Sequence, residues 1–385
     1  MDAAHRPAPL VAPASELSSE QSVRAQRQIV LPGFGEIAQR RLRAARVLVV
    51  GAGGLGSACV PYLVGAGVGT IGIVDDDRVE LSNLHRQVSH GTADIGRLKV
   101  ESLADTARAL DPGVTVIPHI ERLTSGSAPA IHAHYDLVID GSDNFPTRYL
   151  VADASELQGI PLVWGSLLQF YGQVGVSWRP EWPGYRDLFP APPAPEDVLD
   201  CGTGGVLPGL CGTIGSLLAT EALKLITGIG EPLLGRVLVF DGLTTRTREI
   251  AYAQDPHAAA ITGLIDYERF CAGPDPEPPS ISAEELVELW AAGDEPKLID
   301  VRTEEERARL RIAGAESLPL DDLERGDATV DGPVIVHCER DPRSIRASKL
   351  LIARGARQVQ FLRGGIQALA SVAPERLEGS TRDTL

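Results

Sequence analysis

The sequence predicts an α/β protein of two domains, a larger one on a mostly parallel sheet and a small α/β domain after it. Three observations carry this. Val47–Val50 (VLVV) is a short β-branched run opening into Gly51, Gly53 and Gly56, spaced G-x-G-x-x-G. A second run, Thr70–Val74, ends at Asp75, 19 residues after the last of these glycines, the spacing of a nucleotide-binding βαβ unit. The last hundred or so residues restart the strand–helix alternation beyond a proline-rich stretch. A chain of 385 residues can give each domain its own core.

Composition narrows the function. Thirty-six basic against 52 acidic residues give a net charge of −16, which argues against nucleic acid as a partner. No apolar run approaches the roughly 18 residues needed to span a bilayer, and the N-terminus carries no signal-peptide core. The five cysteines are odd in number and far apart, so they are not a disulfide framework. They suit a reducing, cytoplasmic setting with one or two working thiols.

Residues 1–20, rich in Ala, Pro and Ser, read as a disordered tail. Gln21–Ala44 reads as helix, its Arg24, Arg27, Arg40, Arg41 and Arg43 as a solvated face. The glycine unit follows, with Leu55–Val64 as its helix. Its glycines let the backbone approach a phosphate, the helix offers free N–H groups, and Asp75 can meet ribose hydroxyls. A glycine turn without a ligand is the plainer alternative. Val79–Gln87 (VELSNLHRQ) then brings Asn83, His85 and Arg86 to the end of the second strand, and Lys99 starts a helix, Lys99–Leu110. Loops beyond strand C-termini form the ligand crevice of such sheets, so Arg86 and Lys99 are candidates to neutralise phosphate charge. His132 and His134 read as a solvated helix face. Asp136–Asp140 is a buried strand opening into GSDNFPTR, with Asp140, Asp143 and Asn144 at the same edge. Carboxylates beside a triphosphate hold Mg²⁺.

Pro161–Gly165 and Gly172–Trp178 read as further strands. Arg179–Asp200 is a proline-rich loop that delivers Cys201, which is either a nucleophile or a small packing residue. Cys211 reads as packing within an apolar helix, Thr213–Ile226, closed by Gly228. Val237–Asp241 and Arg248–Tyr252 complete a first domain at 21–253, and 254–279 reads as a linker.

The second domain spans 280–374, with a tail at 375–385. Lys297–Val301, Val334–Cys338 and Gln358–Leu362 read as strands, Thr303–Leu310 and Ser344–Arg354 as helices. Cys338 sits at a strand end, in a short loop feeding a helix. Loop amides and Arg343 can stabilise a thiolate or persulfide there, while Glu339 and Asp341 work against an anion. A buried, inert Cys338 is the alternative.

GAGGLG, IVDDDRVELSNLHRQ, Lys99, DGSDNFPTRYL and CGTGGVLPG, in that order, resemble the MoeB/ThiF family. These are ubiquitin-activating-type adenylyltransferases of sulfur-carrier pathways, with a Rossmann-like fold. LIDVRTEEE, IAGAESLPL, VIVHC and the Cys338–Ser344 loop resemble a rhodanese domain, and the fusion order resembles MoeZ- and MOCS-type proteins. The resemblance implies ATP and Mg²⁺ as cofactors. The implied reaction is adenylylation of the C-terminal Gly-Gly carboxylate of a ubiquitin-like sulfur-carrier protein, then sulfur transfer to give a thiocarboxylate. Gly53 and Gly54 would line the nucleotide and Asp75 the ribose. Ser82, Asn83, Leu84, His85, Arg86, Lys99, Asp143 and Asn144 would surround ATP, with Asp140 on Mg²⁺. Arg27 would be lent across a homodimer, displacing the solvated-face reading. Cys201 would match a thiol proposed to join the activated carrier, and Cys338 the persulfide carrier, charged by a cysteine desulfurase or another sulfur donor.

Three departures from the family pattern bear on the expectations, one being that Cys201 is followed by Gly202 and Thr203 rather than an Ala-rich run, which puts its thioester role in question. Many relatives carry two CxxC pairs for a structural zinc, whereas this chain has Gly184-Tyr185-Arg186-Asp187 and a cysteine-free DPHAAAITG, so no structural zinc is expected. Asp341 stands where a glycine is common in rhodanese loops, which puts the sulfurtransferase rate in question. Two other readings stay open. A nicotinamide-dependent oxidoreductase explains the glycines and Asp75 equally well, but not Arg86, Lys99 and Asp140. A carrier-binding scaffold with an inactive rhodanese half is the other.

Overall fold

The computed structural model describes residues 7–193, 204–272, 277–326, 328–330 and 332–379. Cys201 lies outside the described residues. The chain divides into two compact units, residues 1–271 and 272–385.

The first unit holds strands β1 (Arg46–Val50), β2 (Thr70–Val74), β3 (Thr115–His119), β4 (Leu137–Asp140), β5 (Leu162–Leu168), β6 (Tyr171–Ser177), β7 (Arg236–Asp241) and β8 (Arg246–Ala251). They form one sheet in the order β3-β2-β1-β4-β5-β6-β7-β8. Pairing is parallel from β3 to β5 and antiparallel from β5 to β8. The helices are α1 (Ser19–Arg24), α2 (Gln26–Ile29), α3 (Gly35–Ala44), α4 (Gly54–Ala66), α5 (Lys99–Leu110), α6 (Ala128–His132), α7 (Phe145–Gln158), α8 (Tyr185–Leu188), α9 (Pro208–Thr227) and α10 (Tyr267–Cys271).

β1 shows why the sheet is covered on both faces. Val47 and Val49 enter one apolar cluster with α3, α4, α5 and α9, while Leu48 and Val50 enter the other with α6 and α7. After the exposed Arg46, β1 is apolar and buried at every position and has no wet face, the signature of a parallel sheet between helix layers. Each such fully buried side chain contributes roughly 1.5–3 kcal/mol.

The single helix read over Gln21–Ala44 is three pieces: α1 and α2 part at Ala25, and α2 and α3 part where Gly33 and Gly35 sit at φ +79° and +67°, where a helix cannot continue. The segment from residue 7 onward is no frayed tail: the Leu10 N–H donates to Leu225 O at 3.2 Å, and Arg40 Nε donates to Ala14 O at 2.7 Å. The expected linker also differs, since α10 lies inside it and packs on α7, with Tyr267 Oη donating to Asp153 Oδ2 at 2.6 Å. The expectation that no apolar run reaches membrane-spanning length fails for α9, which has 20 residues and a mean hydropathy of 1.3 over its most apolar window. It is nonetheless a core helix, buried through Leu210, Ile214, Leu218, Ala222 and Ile226 against α4. His132, read as solvated, is fully buried in α6, whereas His134 is exposed.

The second unit has β9 (Ser280–Ile281), α11 (Ala283–Ala291), β10 (Lys297–Asp300), α12 (Glu304–Arg309), β11 (Arg311–Ile312), β12 (Glu316–Ser317), α13 (Leu320–Arg325), β13 (Val334–His337), α14 (Pro342–Ala353), β14 (Val359–Leu362), α15 (Gly365–Val372) and β15 (Leu377–Glu378). Its main sheet runs β12-β10-β13-β14-β9, all parallel. β15 pairs with β11, so the expected tail at 375–385 begins as ordered chain.

Candidate active site

Strand order reverses at β1, which lies between β2 and β4. That reversal opens a crevice at the strand C-termini, where doubly wound sheets bind ligands. The ladder sets Val74, Val50 and Asp140 side by side at this edge, so Gly51, Asp75 and Asp140 emerge together. Gly51 takes φ +91°. A Cβ on Gly56 would lie 1.9 Å from Gly51 O, which makes glycine obligatory there. Gly53 and Gly54 follow, at the N-terminus of α4.

Asp75 binds this turn directly. One carboxylate oxygen accepts from the Ala52 N–H at 2.7 Å, the other from the Asp77 N–H at 2.8 Å. Burial raises its pKa, partly offset by the nearby Lys99 ammonium. Lys99 opens α5 and places Nζ 2.6 Å from Asp77 Oδ2. Arg86 Nη1 donates to Ser82 O at 3.2 Å, and His85 Nδ1 lies 2.9 Å from the same carbonyl. Arg86 Cγ is 4.0 Å from where a Gly54 Cβ would stand, so this loop covers the helix start. Asn83 is buried and closes the short 3₁₀ turn that carries Ser82 and Leu84, accepting from the Glu80 N–H at 3.1 Å. Pro61, inside α4, leaves Ser57 O without its helical donor, and Ser89 Oγ supplies one at 2.5 Å. The polar loop is thereby tied to the helix that starts at the glycine turn.

Asp140 is buried, with Oδ1 accepting from the Ser142 N–H at 2.9 Å. Burial raises its pKa, and the Arg148 guanidinium works the other way. Asn144 caps α7 by accepting from the Thr147 N–H at 2.9 Å, and Asp143 is exposed beside it. Two buried polar atoms around the turn have no partner among the described residues: Gln87 Oε1 and Arg148 Nε. Sequence reasoning passed over Gln87, Ser142 and Arg148, although SNLHRQ and SDNFPTR contain or adjoin all three.

Arg27 does not join this crevice in its own chain. It is exposed on α2, whose next residue, Gln28, donates to Ala66 O at 3.0 Å. Ala66 ends α4, and the glycine turn starts it, so about 20 Å of helix separates them.

The segments at which relatives' zinc cysteines would stand are joined by other chemistry. Asp187 on α8 accepts from Arg179 Nε at 3.1 Å, from the Gly184 N–H at 2.7 Å and from the Asp255 N–H at 2.9 Å. Arg186 pairs with Asp153 and lies over the Tyr149 and Phe270 rings. Neither segment supplies the four nitrogen or sulfur donors of a structural zinc, so these residues do not fit the metal. Cys271 follows nearby in α10, its thiol pushed up to about 11 by burial, then by Glu268.

In the second unit Cys338 directly follows the central strand β13, is 1% exposed, and its Sγ lies 3.5 Å from Ser344 Oγ. Arg343 is held bidentately by Glu306 of α12 at 2.8 and 2.7 Å. The acids read as opposing an anion are engaged elsewhere. Glu339 pairs with Arg302 and Gln367, and Asp341 accepts from the Gly364 N–H at 2.6 Å. Asp341 takes φ −132°, so its position makes no demand for glycine.

A doubly wound nucleotide fold followed by a parallel-sheet unit with a strand-end cysteine is the architecture of an adenylyltransferase joined to a sulfurtransferase. Residues 25–260 match the ThiF family, and residues 282–371 match the rhodanese-like domain. The chain belongs to the ThiF family. It is 44% identical to the probable adenylyltransferase/sulfurtransferase MoeZ of Mycobacterium tuberculosis over 376 residues, covering 94% of this chain and 96% of that one. It is 47% identical to the sulfur carrier protein adenylyltransferase of Thermus thermophilus, over 66% of this chain and 98% of that one. The adenylyltransferase and sulfurtransferase MOCS3 of Sus scrofa is 39% identical over 93% of this chain and 88% of its own. Among solved structures, E. coli MccB with AMPCPP and MccA superposes with a TM-score of 0.57 at 16% identity, over 67% of this chain and 76% of that one. PaaA gives 0.54 at 22% identity, over 63% and 76%. Both likenesses establish the fold.

Proposed function

We propose that this enzyme adenylylates the C-terminal Gly-Gly carboxylate of a ubiquitin-like sulfur-carrier protein with ATP, and then replaces AMP with sulfur. The observation that carries the reading is the switch-point crevice, where the glycine turn, Lys99, Arg86 and Asp140 converge among unpartnered buried polar atoms. A carboxylate is a poor electrophile until its oxygen is attached to a good leaving group. Its oxygen attacks the α-phosphorus, the bond to the β-phosphate oxygen breaks, and pyrophosphate leaves. Lys99 and Arg86 hold the charge that develops on pyrophosphate, which is positioning plus electrostatics. Asp140 is the residue that would hold Mg²⁺, which supplies further charge neutralisation; a hard cation would relieve a carboxylate whose pKa burial raises.

Arg27 would serve a second copy's crevice, since α4 holds it a helix length from its own. That supports a homodimer. In the second unit the outer sulfur of a persulfide on Cys338 displaces AMP at the carbonyl. A dithiol reductant attacks the Cys338 sulfur, which cleaves the sulfur–sulfur bond and frees the thiocarboxylate; its second thiol then releases Cys338 as a free thiol, and the reductant leaves as its own disulfide. Cys201 is the candidate thiol to join the activated carrier in place of AMP before sulfur attacks. A cysteine desulfurase or another donor would recharge Cys338.

ATP–pyrophosphate exchange stimulated by a Gly-Gly-ending carrier tests the first half, and an enzyme that binds NAD but exchanges nothing would overturn it. Cys338→Ala is expected to abolish thiocarboxylate formation while exchange continues.

A further inference from the structure

The glycine turn is gripped at both polar groups of one residue. The Ala52 N–H is taken by Asp75, and the Ala52 carbonyl by His90, whose Nε2 lies 2.9 Å from it. His90 is 6% exposed and Ala52 is fully buried. The other imidazole nitrogen, Nδ1, lies 2.8 Å from Ser102 Oγ on α5, one turn beyond Lys99. We propose that His90 is a positioning residue for nucleotide binding, acting as the Nε2–H tautomer that holds the Ala52 carbonyl of the glycine turn. This rests on the reading of the crevice as an ATP site.

The tautomer follows from the partners. A backbone carbonyl only accepts, so Nε2 must carry a proton. In the neutral ring Nδ1 then accepts, and the Ser102 hydroxyl donates to it. The grip also survives protonation of the ring. Nδ1–H would donate to Ser102 Oγ, whose hydroxyl can turn to the Asp94 carboxylate, a partner it already reaches. Burial, then the Lys99 charge, opposes an imidazolium, while Asp94 and Asp75 favour one. His90 is therefore an anchor rather than a switch.

Its consequence is local to the nucleotide. With Ala52 O drawn towards His90, that carbonyl is committed within the protein, while α4 begins two residues later at Gly54. Without the grip, an unpaired buried carbonyl would seek another donor and take the turn with it.

Side-chain isosteres give the test. Gln places its Nε2 where His places Nε2, and Asn places its Nδ2 where His places Nδ1. His90→Asn should weaken Mg–ATP binding, measured by calorimetry, roughly tenfold, the scale of one buried hydrogen bond. His90→Gln should stay within about threefold of wild type, since it keeps the donor. In exchange assays the Asn variant should raise KM for ATP and leave KM for the carrier unchanged. Ser102→Ala, which spares the Ala52 contact, should behave like His90→Gln. Nitrogen-15 spectra of the wild-type imidazole should show Nε2 protonated. Equal ATP affinity in His90→Asn and wild type would overturn the proposal, and so would an Nδ1–H tautomer. Failure of wild-type protein to bind Mg–ATP would instead remove the nucleotide reading, leaving the tautomer result to judge the anchor by itself.

Discussion

Lys99 Nζ lies 2.6 Å from Asp77 Oδ2, the lysine side chain 8% exposed and the aspartate 67% exposed. The cation is desolvated but its partner is not, so the pair adds little stability while the ammonium's field on the crevice is poorly screened. Lys99→Met is expected to cut ATP–pyrophosphate exchange by roughly 100-fold or more, the scale of losing one preorganised charge on a transferring phosphate. Its melting temperature should fall by less than about 4 °C. Exchange near the wild-type rate would remove Lys99 from the reaction.

Asp187 joins the segment at 184 to the one at 255 through its carboxylate, whose side chain is fully buried against a partly exposed Arg179. The Asp187 carboxylate supplies contacts that join these two segments. Asp187→Ala should destabilise the first unit by about 2 kcal/mol, less than a fully buried pair would cost because Arg179 remains partly solvated. A zinc chelator should leave the wild-type melting curve unmoved. Stoichiometric zinc in purified protein, or a chelator-induced drop, would refute this.

How much of this was legible in the sequence depended on which force decided each element. The glycine unit was readable because three independent patterns coincide there: Val47–Val50, the G-x-G-x-x-G spacing and Asp75. The helix from Lys99 to Leu110 was readable in full from its amphipathic pattern. β3 was not, because Thr115–His119 is half exposed and contains Pro118, which its edge position tolerates. The ordered segment from residue 7 was not, because Ala and Pro carry no period, and its order comes from single contacts such as Leu10 with Leu225. His90 escaped notice for a related reason. A lone histidine in a polar loop reads as solvated until the fold folds it under Ala52.

His132 shows the same limit with a measurable outcome. It is fully buried in α6, neither ring nitrogen has a partner among the described residues, and burial pulls its pKa from 6.5 to about 4. Between those values the unfolded chain binds a proton that the folded one does not, so stability falls as pH drops from 6.5 to 4 and is complete above 6.5. The loss should be on the order of 3 kcal/mol. His132→Leu should flatten that part of the stability–pH curve for the first unit. An unchanged slope would mean that another group supplies it.

Glu306, like the buried histidine, has its pKa held below the ordinary value and loses stability in acid, though by losing a charge rather than gaining one. Its hydrogen bonds with Arg343, ahead of opposing burial, hold its pKa at about 2 against an ordinary 4.5. The pair is whole at neutral pH and fades as pH falls from 4.5 through about 2. Glu306→Gln should lower the second unit's stability at pH 7 by roughly 1 kcal/mol, a partly exposed pair being partly screened, with the gap closing towards pH 2. It should also release Arg343 towards the Cys338 loop. Sulfur transfer from thiosulfate, a dianion, should then show a lower KM. An unchanged KM would mean that Arg343 does not face the donor.

Arg27 offers a test that needs no knowledge of the carrier's identity beyond its ability to drive exchange. α4 separates it from its own glycine turn by about 20 Å, more than an arginine side chain can reach. If it acts, it acts at another copy's crevice. Arg27→Ala and Lys99→Met homodimers should each be nearly inactive. Mixed and refolded together, half of the dimers should be hybrids. In a hybrid, one crevice combines the intact Lys99 of one chain with the intact Arg27 of the other, and its second crevice lacks both. Random mixing should thus restore roughly a quarter of wild-type exchange. Two variants that never complement would show that Arg27 works within its own chain or not at all.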